Sequence, residues 1–219
     1  MKNANNRLYY FCLIMLSLPF FSVKAQDTIT NNKTFISINT GLYFPSRSDF
    51  KTVFGSSYII INGLSFGIPI TNSNFFLYGK AMFYTKKGKP IINHYVTDHG
   101  VSYHYTTQEG SESLKVFMSN LGVQYNININ QFNMLSISGG ITIVSSREFS
   151  KSEPVFDIKG SGLSGYFIGI GYEKSFKQLP FNAFSEVQYN LDRLDYKSLG
   201  LSFGGCNVNI GIRYYFELL

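Results

Sequence analysis

Tryptophan is absent, charged residues make up only 15% of the chain, and no apolar run of membrane-helix length occurs after the first 25 residues. Soluble domains carry about 25% charged residues, so a water-facing surface of ordinary composition is short of material. A bundle of membrane helices is excluded, because each would need about 20 consecutive apolar residues. Of the two cysteines, Cys12 falls in the leader segment, and Cys206 is left with no partner for an intramolecular disulfide. What the chain has instead is Gly, Tyr and Phe: 20, 16 and 21 residues respectively, a mixture suited to sheet with interfacial aromatics.

The first 25 residues read as a cleaved secretory signal. Lys2 and Arg7 charge its start, Leu8 to Phe21 is apolar, and Val23-Lys24-Ala25 sets short residues before Gln26. An uncleaved anchor is the weaker reading, since the run is short for a span and no stop-transfer charges follow. Losing Lys2, Arg7 and Lys24, and no acidic residue, lowers the formal charge from +6 to +3. Nucleic-acid binding is therefore not expected.

The mature chain alternates. Near its end, Val208, Ile210, Ile212, Tyr214 and Phe216 occupy one phase, and Asn207, Asn209, Gly211, Arg213 and Tyr215 the other. A period of two is the mark of a strand with unlike faces. Seven earlier stretches repeat the pattern: 35–44, 58–70, 75–85, 115–127, 135–143, 162–173 and 182–191. The connections 46–56, 86–111, 146–160 and 192–200 read as longer loops, while 71–74, 128–131 and 174–180 read as shorter turns. Eight segments of membrane-crossing length, with connections alternating in this way, predict an all-β fold. It is an eight-stranded antiparallel transmembrane β-barrel over 34–219, preceded by the signal peptide. A soluble sandwich or a lipocalin-like barrel would turn the bulky apolar phase inward, leaving too few charges for a solvated outside.

An eight-stranded barrel has an interior that side chains fill. Lys80, Glu173, Glu186 and Arg213 all fall in the polar phase, and buried charges need opposite partners, so these four are expected to form an internal network. The alternation leaves open which pairs meet. The last strand is expected to close the sheet antiparallel against the first.

The signal, the eight alternating segments, the stretch Gly165-Tyr-Phe-Ile-Gly-Ile-Gly-Tyr172 and the ending Asn209-Ile-Gly-Ile-Arg-Tyr-Tyr-Phe216 resemble the small outer-membrane β-barrel proteins common in Bacteroidota, the PorT-like porin-family grouping. The resemblance implies an address in the cell outer membrane and lipid as the surrounding partner. It also implies insertion by the outer-membrane assembly machinery, which reads an aromatic-rich terminal strand.

Chemistry is sparse. His94, His99 and His104 stand five apart in the long connection, a spacing that puts neighbours on opposite faces of an extended chain and fails to converge three imidazoles on a metal. No Ser, His and acidic constellation is recognisable, so no enzyme and no cofactor is expected. Glu173 and Glu186 read as partners for the inward cations rather than paired glycosidase carboxylates, because a closed interior has no room for a sugar chain. Lys86, Lys87 and Lys89, with the three histidines, are candidates for contact with a protein or polysaccharide partner at the outer loops, or with lipid phosphate. The functional expectation is a structural or interaction barrel acting through external loops. The alternatives are a narrow channel for ions or small solutes and an accessory part of a secretion or motility complex, which the resemblance permits.

Overall fold

The computed structural model describes residues 33–46, 50–70, 73–89, 92–98, 101–107, 111–150, 156–176, 179–192 and 204–217. The leader segment 1–25 lies outside them. The described elements are β1 (Thr34–Pro45), α1 (Phe50–Phe54), β2 (Ile59–Pro69), β3 (Phe75–Gly88), β4 (Ile92–Asp98) and β5 (Val101–Thr107). They continue with β6 (Glu112–Asn130), β7 (Asn133–Ser150), β8 (Phe156–Lys174), β9 (Phe181–Asp192) and β10 (Gly205–Phe216).

Eight of these strands close a barrel in the order β1-β10-β9-β8-β7-β6-β3-β2, every pairing antiparallel. Closure leaves none of the eight barrel strands with a free sheet edge. The seam runs from Thr34 opposite Phe216 to Pro45 opposite Gly205, with Ile38 opposite Ile212. β4 and β5 form a separate two-stranded hairpin within the long connection between β3 and β6.

The two phases of each strand separate as their chemistry requires. Ile38 is 62% exposed and Ile60 64%, and Leu64, Leu77, Phe83, Ile168, Leu191 and Ile210 share the outside with them. Inside lie Asn39, Asn120, Gln124, Gln188, Asn190 and Asn209, all buried. Outward residues stay apolar on β6 from Phe117 to Ile127, apart from the half-buried Ser119. At about 3.4 Å per residue and a tilt near 40°, that run is about 25 Å tall, the height of a hydrocarbon-facing band.

Two regions differ from the sequence reading. The stretch 146–160 is largely strand rather than loop: β7 continues to Ser150 and β8 starts at Phe156, with Arg147 opposite Lys159. Beyond the exposed apolar band the alternation stops, and backbone pairing alone carries the ladder onward. The stretch 46–56 holds α1, whose Phe50, Val53 and Phe54 are buried. Their i, i+3, i+4 spacing puts all three on one side of a single helical turn.

Thr34, Pro69, Phe75, Asn130, Asn133, Lys174, Phe181 and Phe216 end their strands at one rim. Pro45, Ile59, Gly88, Glu112, Ser150, Phe156, Asp192 and Gly205 end theirs at the other, the rim of α1.

Candidate functional site

The lumen is the best-built site in the chain, and it is layered. Nearest the short-turn rim, Phe35, Phe76, Tyr78 and Phe167 form a buried aromatic cluster, with Tyr215 packed against it. Phe35 fills the space that a side chain at position 67 would need: a Cβ on Gly67 would fall within its ring. Arg213 projects from β10 into this cluster, its guanidinium 3.9 Å from the centroid of the Phe35 ring and 4.8 Å from that of Phe184. Its Nη1 donates to Glu173 Oε2 at 2.7 Å. The same carboxylate accepts from the Tyr215 hydroxyl at 3.0 Å and, through Oε1, from Asn182 Nδ2 at 2.6 Å. An arginine suits this place because its planar cation stacks on a ring while its edge engages a carboxylate.

The second ion pair lies further up. Lys80 Nζ donates to Glu186 Oε1, and the Tyr78 hydroxyl donates to Glu186 Oε2 at 3.1 Å. Lys80 also reaches Gln188 Oε1 at 3.4 Å, and Gln188 Nε2 donates to Asn190 Oδ1 at 2.8 Å. The four inward charges therefore meet as Lys80 with Glu186 and Arg213 with Glu173, both pairs withdrawn from solvent. Lys80, Glu186 and Glu173 each have a neutral donor or acceptor beside the counter-ion, whereas Arg213 is flanked by the Phe35 and Phe184 rings and its Nε has no hydrogen-bonding partner among the described residues.

Around and above this layer the polar groups are less well matched. Both side-chain polar atoms of Asn39, Asn120 and Asn209 are buried without a hydrogen-bonding partner among the described residues. An unmet buried amide costs about 1–3 kcal/mol, so this belt is where internal water is most strongly favoured.

The long-loop end of the lumen is apolar. Tyr43, Ile59, Ile61, Met82, Tyr84, Leu114, Val116, Met118 and Val144 point inward and pack with Phe50, Val53 and Phe54 of α1. The helix is fastened at its end, where the Lys89 amide donates to the Val53 carbonyl at 2.8 Å. Gly88 lets it approach: a Cβ there would meet that carbonyl oxygen and the Phe54 ring. The Tyr43 hydroxyl donates to the Gly204 carbonyl at 2.9 Å, fixing the mouth from the seam side.

No protein family and no curated protein matches the chain by sequence. Solved structures of similar shape include the N-terminal β-barrel domain of Pseudomonas aeruginosa OprF, at 14% identity over 86% of this chain and 100% of that one, with a TM-score of 0.48. Neisserial surface protein A follows at 11% identity, 86% and 99% coverage and a TM-score of 0.46. Ail, the attachment invasion locus protein of Yersinia pestis, gives 12% identity, 84% and 95% coverage and 0.43. The chain is an eight-stranded antiparallel β-barrel on its own hydrogen bonding, independently of these likenesses.

The loop candidates divide between the end of β3 and the β4–β5 hairpin. Lys86 and Lys87 end β3 at register positions opposite Leu114 and Ser113, and Lys89 follows, exposed. His94 and His104 occupy neighbouring rungs of the hairpin, opposite Tyr105 and Tyr95. His99 lies outside the described residues. Among the described residues no group of three His, Cys, Asp or Glu is gathered as a metal site.

Sequence reasoning missed α1 as a plug and the inward aromatics Phe35, Phe76 and Phe184. The signal for the plug was present in the Phe50, Val53, Phe54 spacing, but one turn of helix is too short for periodicity to stand out.

Proposed function

We propose that this protein is an outer-membrane β-barrel whose lumen is sealed, and that it acts as a structural or interaction component through its long-loop end. The observation that carries this reading is the stacking of two unlike seals in one lumen. Below is a layer of two buried ion pairs, and above it an apolar mouth stoppered by α1. The exposed apolar band supports membrane residence. The short turns at one rim and the longer connections at the other support an orientation with α1 and the hairpin facing outward.

With the lumen filled, what remains for recognition is the outer rim: Lys86, Lys87, Lys89 and the β4–β5 hairpin carrying His94 and His104. A protein or polysaccharide partner there fits the basic character of the exposed side chains. A narrow channel is the second reading, favoured by the unmatched amides of Asn39, Asn120 and Asn209 in mid-lumen.

Purified full-length mature barrel in planar bilayers separates the two. The sealed reading expects no single-channel steps from protein whose gel migration shifts on heating, and regular steps sensitive to Lys80→Ala would replace it with the channel. Spin labels at Ile210 and Ile212 test residence itself, since labels reporting a dry protein core instead of lipid would end the membrane assignment.

A further inference from the structure

One strip of the outer wall breaks the rule that directly opposed residues on neighbouring strands avoid like charge. On β6 and β7, Lys115 stands opposite Arg147. Lys115 and Arg147 are both exposed and share the outward phase with Phe117 and Ser145, the rung immediately below. Lys87, also exposed and outward, is diagonal to Lys115, because Thr85 is the residue opposite it. Directly opposed Cβ atoms lie about 5 Å apart and diagonal ones about 7–8 Å, and like charges at such spacing destabilise a sheet.

The height of the strip sets these exposed cations at the edge of the apolar band. The apolar band ends at Phe83 and Phe117, which face each other across β3 and β6. The basic rung is one pleat step beyond these rings, about 5 Å higher along the barrel axis after tilt. The tilt also lifts each successive strand by about 3 Å, so Lys87, Lys115 and Arg147 fall within a few ångströms of one level. An aromatic girdle with a cationic step above it matches the order of acyl chain, glycerol or sugar backbone and phosphate in a lipid leaflet. Among side chains described at this end, Lys51, Lys87, Lys89, Lys115 and Arg147 are exposed, whereas the carboxylate of Glu112 is buried. Arg147 also lies 5.9 Å over the ring of Phe149.

We infer that Lys87, Lys115 and Arg147 form a binding strip for the phosphorylated headgroup of an outer-leaflet lipid, seated on the β3–β6–β7 wall with its acyl chains against Phe83 and Phe117. The inference rests on the membrane reading proposed above. It differs from a loop–partner contact, because the strip lies on the lipid-facing wall and not on the hairpin.

The test uses full-length mature barrel in nanodiscs, with native mass spectrometry of retained lipid. Bis-phosphorylated lipid A is compared with the same lipid after dephosphorylation, and inorganic phosphate and a soluble sulfated polysaccharide serve as lipid-free probes. The wild type retains the phosphorylated lipid preferentially, and the variant K87Q/K115Q/R147Q loses that preference by roughly tenfold or more. The charge-keeping variant K87R/K115R retains it, and Lys33→Gln at the opposite rim leaves it unchanged. Equal retention of both lipids, an unaffected triple variant that still shows heat-modifiable migration, or equally tight binding of the soluble polyanion would each overturn the inference. Should labels at Ile210 and Ile212 contact lipid while the phosphate preference is missing, only this inference fails. Labels that avoid lipid remove both.

Discussion

Arg213 of the last strand stacks on Phe35 of the first, 3.9 Å from guanidinium carbon to ring centroid, directly beneath the seam that closes the barrel. The contact joins the two ends of the barrel domain through side chains as well as through the backbone ladder. The same guanidinium is bonded to Glu173 on β8, so three strands that are distant in sequence meet at one cation.

Removing either member of this pair leaves a buried charge alone. Glu173→Gln and Arg213→Met are each expected to lower stability by about 3–5 kcal/mol. Arg213→Lys should recover only part of the loss, because an ammonium lacks the planar face that lies on Phe35. Urea titration of barrel folded in detergent, read by the heat-dependent gel shift, measures all three.

For the upper pair, Lys80→Met or Glu186→Gln alone should destabilise more than the two together, since the double variant leaves no unpartnered ion. A coupling energy near zero in that cycle would mean that the two charges are stabilised independently of each other. Tyr78→Phe, which removes the hydroxyl donated to Glu186 Oε2, should cost about 1.5–3 kcal/mol.

Two seals in series make a specific electrical prediction. Phe50→Ala with Phe54→Ala loosens the apolar mouth yet leaves the Lys80–Glu186 layer closed, so the variant should still pass no current in a planar bilayer. Adding Lys80→Ala and Glu186→Ala should be needed before steps appear. Current from the helix variant alone would show that the ion pairs do not block the lumen.

Gly67 and Phe35 should behave as one unit. Gly67→Val drives a branched side chain into the Phe35 ring and should cost about 1–3 kcal/mol, with a large part regained on adding Phe35→Ala. Thermal midpoints of the two single variants and the double variant are sufficient to check this.

The sequence carried the wall of this molecule better than its contents. Ile36, Ile38, Ile210 and Ile212 announce their face because strand period is local, and the inward phase of Lys80, Glu173, Glu186 and Arg213 follows from the same alternation. Pairing of those four was not legible, since it depends on the shear that brings β3 level with β9 and β8 with β10 across the lumen. Phe167, Ile59 and Ile61 break or blur the alternation for a related reason: they face partners far away in sequence, Phe167 meeting Tyr78 with ring centroids 6.1 Å apart. The upper halves of β7 and β8 were hidden because they run beyond the exposed apolar band, and so lack the apolar period that marks a strand. The basic strip across Lys87, Lys115 and Arg147 was invisible until registers were known, as its members are scattered over 60 residues of chain.

The seam also sets an order of events. β1 is among the first mature segments to emerge during synthesis and β10 the last, yet each supplies the other's hydrogen bonds along all twelve residues from Thr34–Phe216 to Pro45–Gly205. Until β10 has been made, one side of β1 and one side of β9 are bare ladders without a strand to pair with. A chain truncated before Gly205 is therefore not a slightly weaker barrel but an open sheet, prone to recruit strands from its neighbours.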